Sequence, residues 1–121
     1  SIGLVGSEMC IRDRDSTKLN DNDRNKILNI CQKSNEEQII ITHGTDTITN
    51  TAKFLSVIEN KTIVLTGSFL PYAFKDSDAE FNIGMAISAV QLLNKGIYVS
   101  LNGIIASHNE LQRDASGKYH T

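Results

Sequence analysis

Thr45 and Asp46 put a hydroxyl and a carboxylate side by side in the turn His43-Gly44-Thr45-Asp46-Thr47. A threonine hydroxyl is a weak nucleophile until a base or a charged neighbour takes its proton. An aspartate in the same turn can accept from an ammonium group or orient a base. The plainer reading is capping, since Thr45, Asp46 and Thr47 are all residue types that favour a helix start. His43, at the head of the turn, reads as a positioning residue rather than a general base. His108 and His120 lie in polar surroundings without metal-ligand spacing, so no metal site is expected. Gly44 and Gly67 do not make a phosphate loop, for there is neither a Gly-rich run ending in Lys nor a G-x-G-x-x-G pattern.

The flanking residues say what must hold this turn. Ile39-Ile40-Ile41 is an unbroken β-branched run, as expected of a strand buried on both faces. Downstream, Ile48, Ala52, Leu55 and Ile58 recur at helical spacing. Strand, glycine-containing turn and helix together present hydroxyls, a carboxylate and helix-start N–H groups at a strand's carboxyl end. The pattern then repeats. Thr62-Ile63-Val64-Leu65 predicts a second buried strand ending in Thr66-Gly67-Ser68. Phe81 to Leu93 predicts a helix with no charge between Glu80 and Lys95, expected to be covered on most sides, by the sheet and a neighbouring subunit. Gly96 stops it. Ile97 to Leu101 predicts a third strand, and Ile104-Ile105 a short one folding back through Asn102-Gly103. Upstream, Asp21 and Asp23 open a helix whose apolar face is Ile27, Leu28, Ile30 and Cys31. The tail to Thr121 is polar and is assigned no structure.

Alternating strands and helices predict an α/β fold: three layers around a mostly parallel, Rossmann- or flavodoxin-like sheet with right-handed crossover helices. Ligands of such sheets sit outside the strands' carboxyl ends, and here that edge carries Thr45, Asp46, Ser68 and Asn102.

Composition bounds the remaining classes. At 121 residues the chain is one domain large enough for a core. A net charge of −2 without clustered Lys or Arg argues against a nucleic-acid surface. No apolar run reaches membrane-spanning length, so no membrane partner is expected. Cys10 and Cys31 are too few for a disulfide framework, and a reduced, cytoplasmic setting is the default.

The stretch Gln38–Leu55 resembles the second signature of the bacterial-type asparaginase/glutaminase family, in which His-Gly-Thr-Asp-Thr follows a hydrophobic strand. The resemblance runs from about Asp15 to Asn102. It implies an amidohydrolase that converts the side-chain amide of asparagine, or a related small amide, to the acid plus ammonia by a threonine-based mechanism. It implies no metal or organic cofactor, and a homo-oligomer. By resemblance, Thr45 and Asp46 are catalytic, with Thr45 in a hydroxyl–Lys–carboxylate relay and Asp46 holding the substrate's α-ammonium. Ser16 corresponds to the contact for the α-carboxylate, and Gly44, Ser68 and Asn102 line the same pocket. Ser77-Asp78 with Phe81-Asn82 is similar to the family's Ser-Asp-Gly…Asn segment, with Ala79 in place of the glycine.

Two departures qualify this. The family opens with a strand and a Thr-Gly-Gly-Thr loop whose last Thr is the principal nucleophile, and the motif does not occur here. The relay lysine falls near Arg113, which stays protonated and can stabilise charge without serving as a base. Residues 1–14 hold Leu4–Arg14, a run similar to a translated sequencing adapter. They are therefore set aside as a non-native segment, leaving residues 15–121 as the domain with its N-terminal strand missing. The sequence thus predicts an asparaginase-type domain that is inactive as given. A non-catalytic amino-acid-binding or interaction domain of the same fold is the alternative, and a nucleotide-binding domain is disfavoured by the absent phosphate motif.

Overall fold

The computed structural model describes residues 2–5, 8–12, 21–44, 47–67, 79–113 and 119–120, with the backbone alone at 2–5, 8–12, 79–80, 113 and 119–120. In chain order these form β1 (Ile2–Val5), β2 (Glu8–Arg12), α1 (Asp21–Lys33), β3 (Gln38–Thr42), α2 (Ile48–Phe54), β4 (Thr62–Thr66), α3 (Ala79–Leu92), β5 (Gly96–Leu101), β6 (Ile104–Ser107), β7 (Gln112–Arg113) and β8 (Tyr119–His120). A single 3-10 turn, Leu55–Val57, closes α2. The main sheet runs β1-β2-β3-β4-β5-β6. β2 to β5 are parallel, while β1 and β6 are antiparallel at the two edges. The mostly parallel α/β architecture expected from the sequence is present.

The run of isoleucines behaves as a two-faced strand should. Ile39 and Ile41 join Ile63, Leu65, Val99 and Leu101 in one apolar layer, which α1 and α2 cover with Ile27, Cys31, Ile48, Ala52 and Leu55. Ile40 points the other way and packs with Val64 against Ala86, Ala89 and Val90 of α3. This is the period-2 alternation of a strand meeting helices on both sides. β4 is buried at all five positions.

The crossovers do not share one hand. β2, β3, β4 and β5 lie side by side in sequence order, so each crossover steps in the same direction across the sheet. Helices of one hand would then all lie on one face. α1 and α2 do lie together, but α3 packs on the opposite face. About 98% of such connections are right-handed. The two concordant crossovers carry that hand, and the one through α3 is left-handed. The right-handed expectation therefore holds for two connections and not for the third. No sequence pattern near α3 marks the difference, because an apolar strand accepts a helix on either face.

At the N-terminus, residues of the segment expected to lie outside the domain pair with the sheet. Here β2 lies beside β3 in unbroken parallel register, from Glu8 opposite Gln38 to Arg12 opposite Thr42. β1 folds back onto β2. An unpaired β3 edge would leave N–H and C=O groups next to an apolar interior. Backbone pairing is largely indifferent to side-chain identity, so Glu8–Arg12 can fill that place.

Other expectations fare unevenly. β5 and β6 form the expected hairpin through Asn102-Gly103. Both turn residues have positive φ, 54° and 76°, as a two-residue type I′ turn demands. On α1, Ile27 and Cys31 are buried, but Ile30 is 48% exposed and lies off the apolar face. α3 is covered by the sheet through Ala86, Ala89 and Val90, while Phe81 and Leu92 are exposed on the single chain. The polar tail contributes a small hairpin, β7 with β8. At the amino end of the sheet, buried Lys61 reaches back and donates to the carbonyls of Ser34 (2.8 Å) and Glu36 (2.5 Å), closing the exit from α1.

Candidate active-site edge

The change of crossover hand has a local consequence. After β3 the chain continues to α2 on one face; after the neighbouring β4 it continues to α3 on the other. In doubly wound sheets a ligand crevice forms where adjacent strand ends send their chains to opposite faces. Reversal of strand order usually brings this about, and here the left-handed crossover does. The crevice position lies between the carboxyl ends of β3 and β4, the strands that carry His43-Gly44 and Gly67.

At the end of β3, His43 continues the ladder, its N–H donating to the Thr66 carbonyl at 2.8 Å. The residue is 4% exposed, and its ring is held from both sides. Nδ1 lies 2.7 Å from the Gly44 carbonyl, and Nε2 lies 2.8 Å from the Thr51 hydroxyl. Thr51, fully buried on α2, also receives Arg24 Nε from α1 at 3.2 Å. Arg24 is tied in turn to exposed Asp21 one helical turn earlier. Three elements thus converge on the peptide that leads into the turn. Thr47 stands at the N-cap of α2, yet its side chain makes no capping bond to the helix. The capping reading of the turn therefore fails at Thr47.

At the ends of β4 and β5 the organising residue is Asn82 of α3, 1% exposed. Its Nδ2 donates to the Gly67 carbonyl at 2.7 Å, and its Oδ1 accepts from the Asn102 N–H at 3.2 Å. A carbonyl on one side and an N–H on the other leave one orientation for the amide. Asn82 thereby joins two neighbouring strand ends to the helix on the far face. Beneath it, Thr42, Thr66 and Ser100 stand in one cross-strand row. Thr66 donates to the Ser100 carbonyl at 2.7 Å, while the buried Ser100 hydroxyl finds no hydrogen-bond partner among the described residues.

Of the residues expected at the site, Gly44 and Asn102 are at strand carboxyl ends on this edge. Arg113 is placed by its backbone in β7. Ser16, Thr45, Asp46 and Ser68 lie outside the described residues. Arg24 and Thr51 went unread in the sequence, and Asn82 entered only through the family likeness. Thr51 did leave a signal: it occupies the inner stripe with Ile48, Ala52 and Leu55, and a polar residue there requires a buried partner. Arg24, twenty-seven residues away in the chain, left none. Cys31 is no candidate nucleophile. It is fully buried in the core, and burial raises its thiol from the ordinary 9.0 to about 11, against the lowering pull of Lys61. Among the described residues, no three His, Cys, Asp or Glu side chains are grouped to hold a metal. No helix among them is long and apolar enough to cross a membrane.

Comparison with known proteins agrees with this architecture. The family model for the asparaginase N-terminal domain matches residues 6–121. A glutaminase-asparaginase of Pseudomonas fluorescens biotype A is 29% identical over 93 residues, covering 73% of this chain and 26% of the relative. The crystal structure of L-asparaginase I from Vibrio cholerae superposes with a TM-score of 0.77 at 26% identity, over 88% of this chain and 35% of that one. The thermostable L-asparaginase from Thermococcus kodakarensis gives a TM-score of 0.68 at 32% identity, over 79% and 31%. The chain thus spans between about a quarter and a third of the length of these relatives. With the family model matched over nearly its whole length, the chain belongs to the asparaginase family, to the part that forms the N-terminal domain.

Proposed function

We propose that this domain carries the amino-acid-binding half of an asparaginase-type amidohydrolase site, acting on the side-chain amide of asparagine or a related small amide. The observation that carries the reading is the position of the His43–Thr47 turn. It follows a strand buried on both faces, at the point where adjacent strand ends send their chains to opposite sides of the sheet. Asp46 binds the substrate's α-ammonium and Thr45 takes part in the hydroxyl relay. Ser16, Gly44, Ser68 and Asn102 complete the pocket, and Arg113 stabilises charge. A threonine hydroxyl attacks the amide carbon, giving up its proton to the relay. The C–N bond breaks, ammonia leaves with that proton, and water cleaves the resulting ester to restore the hydroxyl.

On this reading residues 1–14 are foreign to the domain, and the chain as given binds without turning over, because the Thr-Gly-Gly-Thr nucleophile loop is absent. Loss of a nucleophile leaves only the small residual rate supplied by binding and oxyanion contacts. The alternative is a domain that binds amino acids without catalysis. It is favoured by Arg113 at the relay lysine's place, since a guanidinium cannot act as a base.

Calorimetry with L-aspartate on the chain as given is the first test. Binding is expected, and Asp46→Ala is expected to abolish it; unchanged affinity in that variant would remove the pocket assignment. An ammonia-release assay on asparagine and glutamine, with a Thr-Gly-Gly-Thr strand and loop in place of residues 1–14, separates the two readings. Turnover supports the amidohydrolase. Binding without turnover supports the binding domain.

A further inference from the structure

We propose that Arg24, Thr51 and His43 form a one-directional hydrogen-bond chain that fixes the Gly44 carbonyl, making Thr51 and Arg24 positioning residues for the turn that follows. The direction comes from the donors available. The Gly44 carbonyl can only accept, so the His43 atom 2.7 Å from it, Nδ1, carries a proton. Arg24 Nε can only donate, so the Thr51 oxygen accepts from it at 3.2 Å. That leaves the Thr51 hydroxyl proton, and its acceptor at 2.8 Å is His43 Nε2. The guanidinium already donates to that hydroxyl oxygen, so the hydroxyl proton is left to point at Nε2, which accepts it. The chain therefore runs Arg24 N–H to Thr51 O–H to His43 Nε2, then from Nδ1–H to the Gly44 carbonyl.

This explains a polar triad, two of its members buried, that packing alone does not require. Thr51 is fully buried and His43 is 4% exposed, beside a layer of apolar side chains. The three side chains come from α1, the residue that follows β3, and α2, so the chain couples two helices to the strand end. A trans peptide unit is planar, and holding its carbonyl holds the plane through which the backbone enters the turn. None of the three side chains needs to touch a ligand for this to matter. The consequence for binding rests on the reading of the turn given above; the hydrogen-bond chain itself does not.

The test is nuclear magnetic resonance of the full chain at neutral pH, with labelled histidine ring nitrogens, alongside L-aspartate titrations. In the wild type, His43 is expected as a neutral ring protonated at Nδ1, the less common tautomer of free histidine. A proton on Nε2 alone, or on both nitrogens, would overturn the proposal, and this measurement needs no variant to fold. In Thr51→Val the ring signals and the backbone amides of residues 45–47 are expected to shift. Thr51→Ser, which keeps the hydroxyl, is expected to restore them. Arg24→Met should move the same signals less. Unchanged amides at 45–47 in Thr51→Val would reduce the triad to core packing. Aspartate affinity is expected to fall about tenfold in Thr51→Val and to recover in Thr51→Ser, as for the loss of one buried hydrogen bond. If aspartate binds neither wild type nor variants while the ring signals behave as stated, the functional reading fails and the positioning chain stands.

Discussion

Cys31 shows how a single side chain reports the quality of the core. It is fully buried between α1 and the sheet, and burial raises its thiol to about 11 from 9.0. Below pH 9 the folded and unfolded chains both keep the proton, and the thiol adds no pH dependence. Between about pH 9 and 11 the unfolded chain loses it while the folded chain holds it. Stability must then fall by up to about 1.4 kcal/mol per pH unit and level off above the folded value. Other groups titrate there too, so the measurement is a difference: urea unfolding of wild type and Cys31→Ala from pH 7 to 11.5. The gap between the two is expected to be constant to pH 9 and to narrow as the wild type weakens. A constant gap throughout would mean that the thiol is solvated. The same burial predicts that Cys31 in the native protein resists alkylation near pH 8 and reacts only on unfolding, read by peptide mapping of the labelled position.

At the scale of elements, the strands and helices were legible because hydrophobic period reports them directly. Ile39–Ile41 and Thr62–Leu65 have the unbroken runs of two-faced strands, and both are buried throughout. Asn102-Gly103 has the residue types a type I′ turn demands, and the hairpin is there. What could not be read is where a helix goes once formed. α3 and α2 both follow apolar strands and both have apolar faces, yet they lie on opposite sides of the sheet. Nor could the joints between elements be read, since Asn82 meets Gly67 and Asn102 from 15 and 20 positions away. That joint can be tested. Asn82→Leu keeps the approximate volume but strips the Gly67 carbonyl and the Asn102 N–H of their partner. A buried group left unsatisfied costs roughly 1–3 kcal/mol, and a loss of about that size is expected in urea unfolding at constant m-value. Hydrogen exchange at the Asn102 amide should quicken with it. Full stability in the variant would show that α3 is held by Ala86, Ala89 and Val90 alone.

The whole molecule turns on how its sheet is completed beside β3. Residues 1–14 did not read as part of the fold, and their Glu-Met-Cys-Ile-Arg core has no strand pattern as clear as Ile39–Ile41. Yet the position they take is dictated by β3 itself. A strand with Ile39, Ile40 and Ile41 all buried is built for the interior of a sheet, and an open edge there would expose both apolar faces and a row of unpaired backbone groups. The need is for some strand, and the register of β2 from Glu8 to Arg12 meets it. It follows that removing residues 1–12 does more than shorten the chain. The truncated protein would offer the β3 edge to any extended segment available, and the most abundant one is another copy of itself. Sedimentation velocity over a range of concentrations is expected to show larger species for the truncated chain than for the full chain at equal concentration. Urea unfolding of the truncated chain should also begin at lower denaturant. Identical sedimentation and identical unfolding of the two would mean that Glu8–Arg12 contributes nothing to the sheet in solution. Insertion of a strand ending in Thr-Gly-Gly-Thr should abolish the association. A strand inserted in the same register, ending opposite Thr42, would also bring that loop to the carboxyl edge beside His43 and Gly44.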